Sequence, residues 1–342
     1  MKMNNLSKVL VTGGAGFIGS HTVVELVENG FEVVIVDSLE RSDFLMITGI
    51  EAILGKKITF CKLDCLDRNE LDKLFSEHTF TDVIHFAAYK SVNESVEKPI
   101  EYYKNNVGSL LNLLEVMQKH HVKNIVFSSS CTVYGQPDRI PVDESAPFKK
   151  AESPYGATKQ MCERILQDAS SIGFRIISLR YFNPIGAHHS GLIGELPVGV
   201  PNNLVPFVTQ TAAGIRKRLT VFGNDYNTPD GSCLRDFIDV VDVAGAHVKA
   251  IMYLKKRQTT SLFEAFNLGT GIGVSVLELI AKFIEVTGVN LPYTIGARRS
   301  GDVEKVYADA SKINYTFGWK AKHVLGDSLL NAWRWEKKIR NL

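Results

Sequence analysis

The chain has 342 residues, 45% hydrophobic and 22% charged, with a formal net charge of +2 at neutral pH. That length holds one large or two ordinary domains with a substantial core, and so small a charge gives no electrostatic case for a nucleic-acid partner. Five cysteines, with no C-x-x-C pair and no metal-ligand spacing to histidine, argue against a disulfide framework and a zinc site and for a reducing, cytoplasmic setting. No apolar run approaches membrane-spanning length, and "MKMNNLS" is too short and polar for a signal peptide.

In chain order, "KVLVTG" from Lys8 reads as a strand, followed by a glycine-rich turn and a helix over 17–29. "EVVIVD", "TFCKLD", "DVIHFA", "NIVFSS" and "RIISLRYF" are further β-branched strands, with helix-length amphipathic segments at 100–120 and 155–172. Strands alternating with helices predict βαβ units and a parallel sheet, an α/β fold of the doubly wound Rossmann type. The rhythm breaks after Phe182. Residues 183–235 are rich in Gly, Pro and Asn and predict a loop-built domain over the sheet. "FIDVVDVA" and "AFNLGT" predict strands, 275–286 a helix, and the stretch from 324 a closing helix. The expected division is a Rossmann domain over 1–182, to which 236–270 returns, and a smaller mixed α/β substrate domain over 183–342.

"VTGGAGFIGSH" places Gly13, Gly16 and Gly19 between the first strand and the first helix. Glycines suit a tight turn, close approach of a pyrophosphate and close helix packing, with the anion on the helix N-terminus. The pattern alone also fits a structural turn, but Asp37 ends the second strand, where a carboxylate binds a ribose diol. Asp64, Lys90 and the serines of "IVFSSSCTVYG" fall where other strands of such a sheet end, the edge at which ligands bind. In "SPYGATKQMCE", Tyr155 and Lys159 stand one helical turn apart, so an ammonium near a phenol would lower its pKa; an isolated pair of this kind also fits a surface tyrosine beside a solvated lysine. His188 and His189 have no carboxylate placed with them, which favours loop packing over metal binding.

These motifs together resemble the extended short-chain dehydrogenase/reductase family. "SSSCTVYG", "SPYGATK", "LRYFNPIGAH", "PNNLVPF", "VFGNDYNTPDGSCLRDFIDVVDVA", "FNLGTG" and "RRSGDV" are similar, in order and spacing, to its UDP-glucose 4-epimerase branch, from Lys8 to Trp335. The resemblance implies an isomerase that interconverts UDP-glucose and UDP-galactose with NAD held throughout. Tyr155 would take the sugar hydroxyl proton while hydride passes to NAD. A free phenol, with pKa about 10, needs that value brought down by about three, roughly 4 kcal/mol, and Lys159 with the positive nicotinamide would supply it. Ser130 would hydrogen-bond the same sugar oxygen; Thr132 is either a second hydroxyl in reach or a cap on its own backbone. For the cofactor the resemblance implies Gly13, Gly16, Phe17, Ile18, Gly19 and Asp37 at the first turn, then Asp64, Cys65, Phe86, Ala87, Ala88 and Lys90. Asn105, Ser128, Tyr155, Lys159 and Tyr181 complete that set. For the UDP-sugar it implies Arg235 and Arg299 on the diphosphate, Asn183 and Asn203 as amide donors and Asp302 near the uridine ribose. Lys90, Ser130, Thr132, Tyr155, Leu204, Val221, Phe222 and Val306 are the remaining contacts, and no metal is implied. Arg298, beside Arg299, fits an ordinary surface charge.

This chain departs from the family pattern at Phe237, where a tyrosine is usual, and after Asp37, where "DSLERSDF" leaves the adenosine ribose contacts from Ser38 onward open. Asp37 would repel a 2′-phosphate, which favours NAD over NADP, and Arg41 is the nearby cation that could soften this. A nucleotide-sugar dehydratase needs an acid pair where this chain has Cys131 and Thr132, which argues against elimination. A UDP-glucuronate 4-epimerase keeps the same triad and remains the alternative; a dinucleotide-sensing scaffold would not need it. Val306 falls where family members with a tyrosine exclude N-acetylated sugars. The smaller valine therefore predicts activity on UDP-N-acetylglucosamine and UDP-N-acetylgalactosamine as well, unless Lys305 or Tyr307 fills the space. Val107, Leu110, Leu111 and Leu114, with Met161 and Ile165, give more apolar helix surface than one sheet needs and predict a homodimer.

Overall fold

The computed structural model describes residues 7–257, 259–298 and 303–342. The chain first runs through β1 (Lys8–Thr12), α1 (Phe17–Glu28), β2 (Glu32–Asp37), α2 (Leu45–Leu54), β3 (Thr59–Lys62), α3 (Arg68–Glu77), β4 (Asp82–His85), α4 (Val92–Glu97), α5 (Pro99–Lys119), β5 (Asn124–Ser130), α6 (Pro154–Ser170) and β6 (Arg175–Tyr181). It continues with β7 (Asn183–Ile185), α7 (Leu204–Ala212), β8 (Leu219–Phe222), β9 (Leu234–Arg235), β10 (Phe237–Asp239), α8 (Val240–Lys256), β11 (Leu262–Leu268), β12 (Val274–Ser275), α9 (Val276–Thr287), β13 (Tyr293–Gly296), β14 (Lys305–Val306), α10 (Ser311–Phe317) and α11 (Leu325–Arg340).

Seven parallel strands form the central sheet in the order β3-β2-β1-β4-β5-β6-β11. Both faces are covered, so the strands are apolar on both sides rather than alternating with polar residues. Val9 and Val11 join Val23 of α1, Ile47 of α2 and Ile251 of α8 on one face; Leu10 joins Leu71 of α3, Leu113 of α5 and Leu166 of α6 on the other. Each such fully buried side chain contributes about 1.5–3 kcal/mol from the transfer of its apolar surface. A second core gathers Val208 of α7, Leu279 and Phe283 of α9 and Trp333 of α11, together with Ile185 and Val221. Among the described residues no helix is long and apolar enough to cross a membrane.

Three expectations need correction. "FIDVVDVA" is a strand only to Asp239. There the aspartate carboxylate accepts the Val241 N–H at 2.8 Å and starts the 17-residue α8. The β-branched run concealed an N-cap followed by helical spacing of Val240, Val243, Ala244 and His247 on the buried side. Residues 183–235 are not loop throughout: they hold α7, whose Pro206 lies in the first turn where no backbone donor is required, and short strands. Leu110 and Leu114 are buried in the subunit's own core where α5 and α6 pack together on the sheet; Val107 and Ile165 are half-buried against it, and Leu111 and Met161 remain exposed.

Candidate active site

The strand order reverses between β1 and β4, and the crevice beyond the carboxyl ends of such strands is where open α/β sheets take ligands. Directly after β1, Gly13 turns with φ +71° and donates its N–H to the Val36 carbonyl oxygen at 2.7 Å. A Cβ at Gly13 would lie 2.7 Å from the Ala87 nitrogen, and one at Gly19 would lie 2.2 Å from the Gly13 carbonyl oxygen, so neither position admits a side chain. The turn delivers the N-terminus of α1, with Gly16 as N-cap and no side chain satisfying the first N–H groups of Phe17 and Ile18. That is a cradle shaped for a pyrophosphate.

Asp37, buried at the end of β2, accepts the Ala15 and Leu39 N–H groups at 3.0 Å each and the Ser42 hydroxyl at 2.7 Å. Arg41 does not neutralise it: its guanidinium forms a two-pronged pair with Glu94 and lies 3.8 Å over the Tyr89 ring. Asp64 is exposed beyond β3 and accepts the Leu66 N–H at 2.9 Å. Its neighbour Cys65 is buried, which pushes the thiol up to about 12. Phe86, Ala87 and Ala88 follow β4 half-buried, with the Phe86 ring 4.7 Å from that of His247. The Tyr181 hydroxyl lies 2.6 Å from the same imidazole, at Nε2. On α5, Asn105 Nδ2 donates to Asn106 Oδ1 at 3.0 Å.

Ser153 caps α6 by accepting the Gly156 N–H at 3.2 Å, and Pro154 occupies the first helical position, where a missing N–H is harmless. Tyr155 and Lys159 follow one turn apart. Lys159 Nζ donates to the Ser128 carbonyl oxygen at 2.6 Å and lies 5.8 Å from the Tyr155 ring centre. Burial lowers the ammonium to about 8. Burial also pushes the Tyr155 phenol up to about 12, against a Ser130 hydrogen bond that lowers it. This is opposite to the expected effect of the ammonium, because Lys159 is aimed at the Ser128 carbonyl and desolvation dominates at the phenol. Ser130 Oγ accepts the Thr132 N–H at 3.3 Å, while among the described residues the buried Thr132 hydroxyl has no hydrogen-bond partner and is not a cap on its own backbone. Cys131, its thiol pushed up to about 12 by burial, offers neither carboxylate nor thiolate where a dehydratase would need an acid pair.

Among the residues expected to meet the substrate, Asn183 opens β7, its N–H donating to the Asp236 carbonyl oxygen at 2.9 Å. Arg235 stands opposite Val306 in the parallel β9–β14 pair and donates from Nη1 to the Leu234 carbonyl oxygen at 2.8 Å. Val306 is buried in a small cluster with Val133, Tyr134, Phe182 and Ala308, behind the turn that carries Thr132. Val221 is turned into the second core and Phe222 outward. Lys90 Nζ and Asn203 Nδ2 both donate to Glu195 Oε1 at 2.6 Å, and Asn203 precedes Leu204, the first residue of α7. Arg298 pairs with Asp225, whereas Arg299 and Asp302 lie outside the described residues. His188 Nδ1 lies 2.8 Å from the Ser190 hydroxyl, and its ring centre is 4.2 Å from that of His189.

A sequence profile of the NAD dependent epimerase/dehydratase family matches residues 9–269. The chain belongs to this family. A UDP-glucose 4-epimerase of Dictyostelium discoideum is 50% identical to this NAD dependent epimerase/dehydratase family member over 331 residues, covering 96% of this chain and 95% of the relative. One from Yersinia enterocolitica is 49% identical over 97% of this chain and 98% of the relative. Among solved structures, a UDP-glucose 4-epimerase from Stenotrophomonas maltophila with bound NAD and formylated UDP-arabinopyranose is 46% identical, with a TM-score of 0.94, covering 98% of this chain and 99% of that one. A UDP-glucose 4-epimerase from Bifidobacterium longum in complex with NAD+ and UDP is 45% identical, with a TM-score of 0.93, covering 98% and 99%.

In this member of the epimerase/dehydratase family, two polar residues of the crevice escaped the reading of the sequence. Glu195 sits in "IGELP", a Gly- and Pro-rich stretch in which one acid carries no periodic or motif signal. Its partners Lys90 and Asn203 come from segments that only the fold brings together. Ser42 lies five residues after Asp37, a spacing that points to a contact once the loop is known to double back.

Proposed function

We propose that this chain interconverts UDP-glucose and UDP-galactose by oxidation and re-reduction at carbon 4 of the sugar. The observation that carries the reading is the meeting of Tyr155, Lys159, Ser130 and the unpartnered Thr132 hydroxyl at the sheet edge that also holds the glycine cradle. The cradle and the buried Asp37 fit NAD, and the chemistry NAD supplies when bound is reversible acceptance of hydride beside a positive ring. Tyr155 takes the proton of the 4-hydroxyl and later returns it, with Ser130 and Thr132 holding the oxygen. Lys159 contributes the protein's own positive charge behind the phenol. Residues 183–235 and 270–342 form most of the UDP-sugar side, with Lys90, Asn183, Asn203, Arg235, Arg299 and Asp302 serving the nucleotide. Neutral hexoses are favoured over a uronate by the names the relatives carry.

The small Val306 beside Arg235 supports acceptance of N-acetylated UDP-hexoses too; a solved structure 36% identical, covering 97% of this chain with a TM-score of 0.84, is a UDP-Glc/GlcNAc 4-epimerase from Campylobacter jejuni. Exposed Leu111 on α5 and Met161 on α6 support pairing of two copies through these helices. All five cysteines are free thiols, which suits a reducing, cytoplasmic location.

The test is turnover of UDP-galactose to UDP-glucose by the purified protein, with NAD released on denaturation. Tyr155→Phe should abolish turnover while UDP-sugar binding stays within about threefold, since the phenol oxygen matters most in the transition state. A parent protein without epimerase activity, or a phenylalanine variant with a tenth of it, refutes the reading.

A further inference from the structure

Behind Tyr155 and Lys159 lies a charged cluster that none of the steps above uses. Glu163, one turn beyond Lys159 and 2% exposed, accepts Ser129 Oγ at 2.5 Å, Ser178 Oγ at 2.9 Å and Arg180 Nε at 2.9 Å on Oε1, and Arg180 Nη2 at 2.6 Å on Oε2. Arg180, also buried, donates from Nη1 to the Tyr134 hydroxyl at 2.8 Å, which donates to Asn267 Oδ1 at 2.7 Å. The cluster therefore ties α6 to β5 and β6, and through Tyr134 to the turn that carries Thr132 and to β11.

Its placement along β5 is what gives it a bearing on the reaction. Three successive residues of that strand meet three turns of α6: the Ser128 carbonyl accepts from Lys159 Nζ, the Ser129 hydroxyl donates to Glu163, and Ser130 faces Tyr155. A slip of α6 by one residue would break all three together. Buried ion pairs add little net stability over apolar residues of similar volume, so stability alone is a weak reason for one here.

We propose that Glu163, locked by Arg180, is a positioning residue of this site, holding α6 in register with β5 and serving as the counter-charge of the Lys159 ammonium. The inference deepens the epimerase reading and rests on it for its effect on turnover. The groups facing Lys159 are Tyr155, Cys162 and Glu163 from α6, His85 from β4, and the Ser128 carbonyl and Phe127 ring from β5. Burial holds His85 at about 3 and the Cys162 thiol at about 12, so both are neutral at pH 7. Burial lowers Lys159, and Cys162 and Glu163 oppose it; of these two, Glu163 is the one engaged in an ion pair, with Arg180 of β6.

The test uses Glu163→Gln and the double variant Glu163→Gln/Arg180→Met, which removes both members of the Glu163–Arg180 pair so that neither is left buried without the other. Carbon-13 NMR of the lysine ε-carbons follows Lys159 in the ligand-free protein, its signal assigned by loss in Lys159→Met, and kcat and KM for UDP-galactose are measured across pH. In both variants Lys159 should titrate at lower pH than in the parent. At neutral pH kcat should fall about tenfold or more while KM moves less than about threefold, and the levelling of kcat with rising pH should begin earlier. If the single variant does not fold, the double variant decides. A folded double variant whose Lys159 titrates as in the parent, or whose kcat and pH profile match it, overturns the inference. A parent without turnover would defeat the epimerase reading instead, and the NMR titration would still decide whether Glu163 is the counter-charge.

Discussion

Replacing Lys159 by methionine removes one charge and keeps the length and apolar stem of the side chain. Nζ lies 5.8 Å from the Tyr155 ring centre, which sets only the scale of its separation from the phenol oxygen. At that separation, with an effective dielectric constant of about 20, an ammonium and a phenolate attract by about 3 kcal/mol, or roughly two decades in the population of the phenolate. The expected loss of kcat at neutral pH is therefore about hundredfold. Removing Nζ also leaves the buried Ser128 carbonyl without its donor, at about 1–3 kcal/mol of stability, partly offset because an ammonium no longer has to be buried. The pH dependence carries a sign. Lys159 is lowered to about 8, so its charge is complete well below that value and is lost as pH rises through it; the parent's gain of kcat with pH should level off there, the lost ammonium offsetting the growing phenolate. The variant should lack this levelling and keep gaining about tenfold per pH unit as more phenolate forms, because burial pushes Tyr155 up to about 12. Initial rates on UDP-galactose from about pH 6 to 10 read both curves, with bound NAD quantified after acid release so that loss of cofactor is not mistaken for loss of chemistry. A variant that levels off with pH as the parent does, or retains kcat within about threefold, refutes the electrostatic role of Lys159.

Val306→Tyr should suppress turnover of N-acetylated UDP-hexoses while sparing UDP-galactose, read as the ratio of the two kcat/KM values. Because Val306 packs with Val133 and Tyr134, about 1–3 kcal/mol of overpacking strain should appear in thermal denaturation; equal loss for both sugars defeats the specificity assignment. Asp37→Asn places an amide where three donors now converge, so the purified protein should retain at least about tenfold less NAD; unchanged retention would remove Asp37 from cofactor binding. Leu111→Asp combined with Met161→Asp alters only exposed positions of α5 and α6, and should turn a light-scattering dimer into a folded monomer; an unchanged dimer places the interface elsewhere.

What was legible in the sequence was local. The strands of the first half, the glycine turn and the one-turn spacing of Tyr155 and Lys159 are written in neighbouring residues, and the sheet follows from them. Burial was not legible, because it is decided by chain segments far apart. The phenol of Tyr155 is raised rather than lowered because β5 and α6 remove it from water. Leu110 and Leu114 looked available for a partner until the packing of α5 on the sheet accounted for them. The start of α8 was hidden for another reason: valines favour strands, and only the Asp239 cap and the spacing beyond it reveal a helix. Glu195 left no trace at all, since its meaning lies in Lys90, which is 105 positions away.

The sheet is finished out of order. The chain leaves it at Tyr181 and returns only with β11, which pairs along the whole of β6, from Leu262 against Arg175 to Leu268 against Tyr181. On the ribosome, at about 5–20 residues per second, β6 would therefore wait several seconds as an open edge before its neighbour has been made. Leu179 and Ile177 lie on that edge, and their face is closed partly by α8, which is also still to come. A nascent chain halted between residues 182 and 262 would present an unpaired, apolar strand, the form of surface that pairs with other chains. Protection during synthesis thus falls to whatever covers that edge in the interval, while the segment between β6 and β11 is emerging.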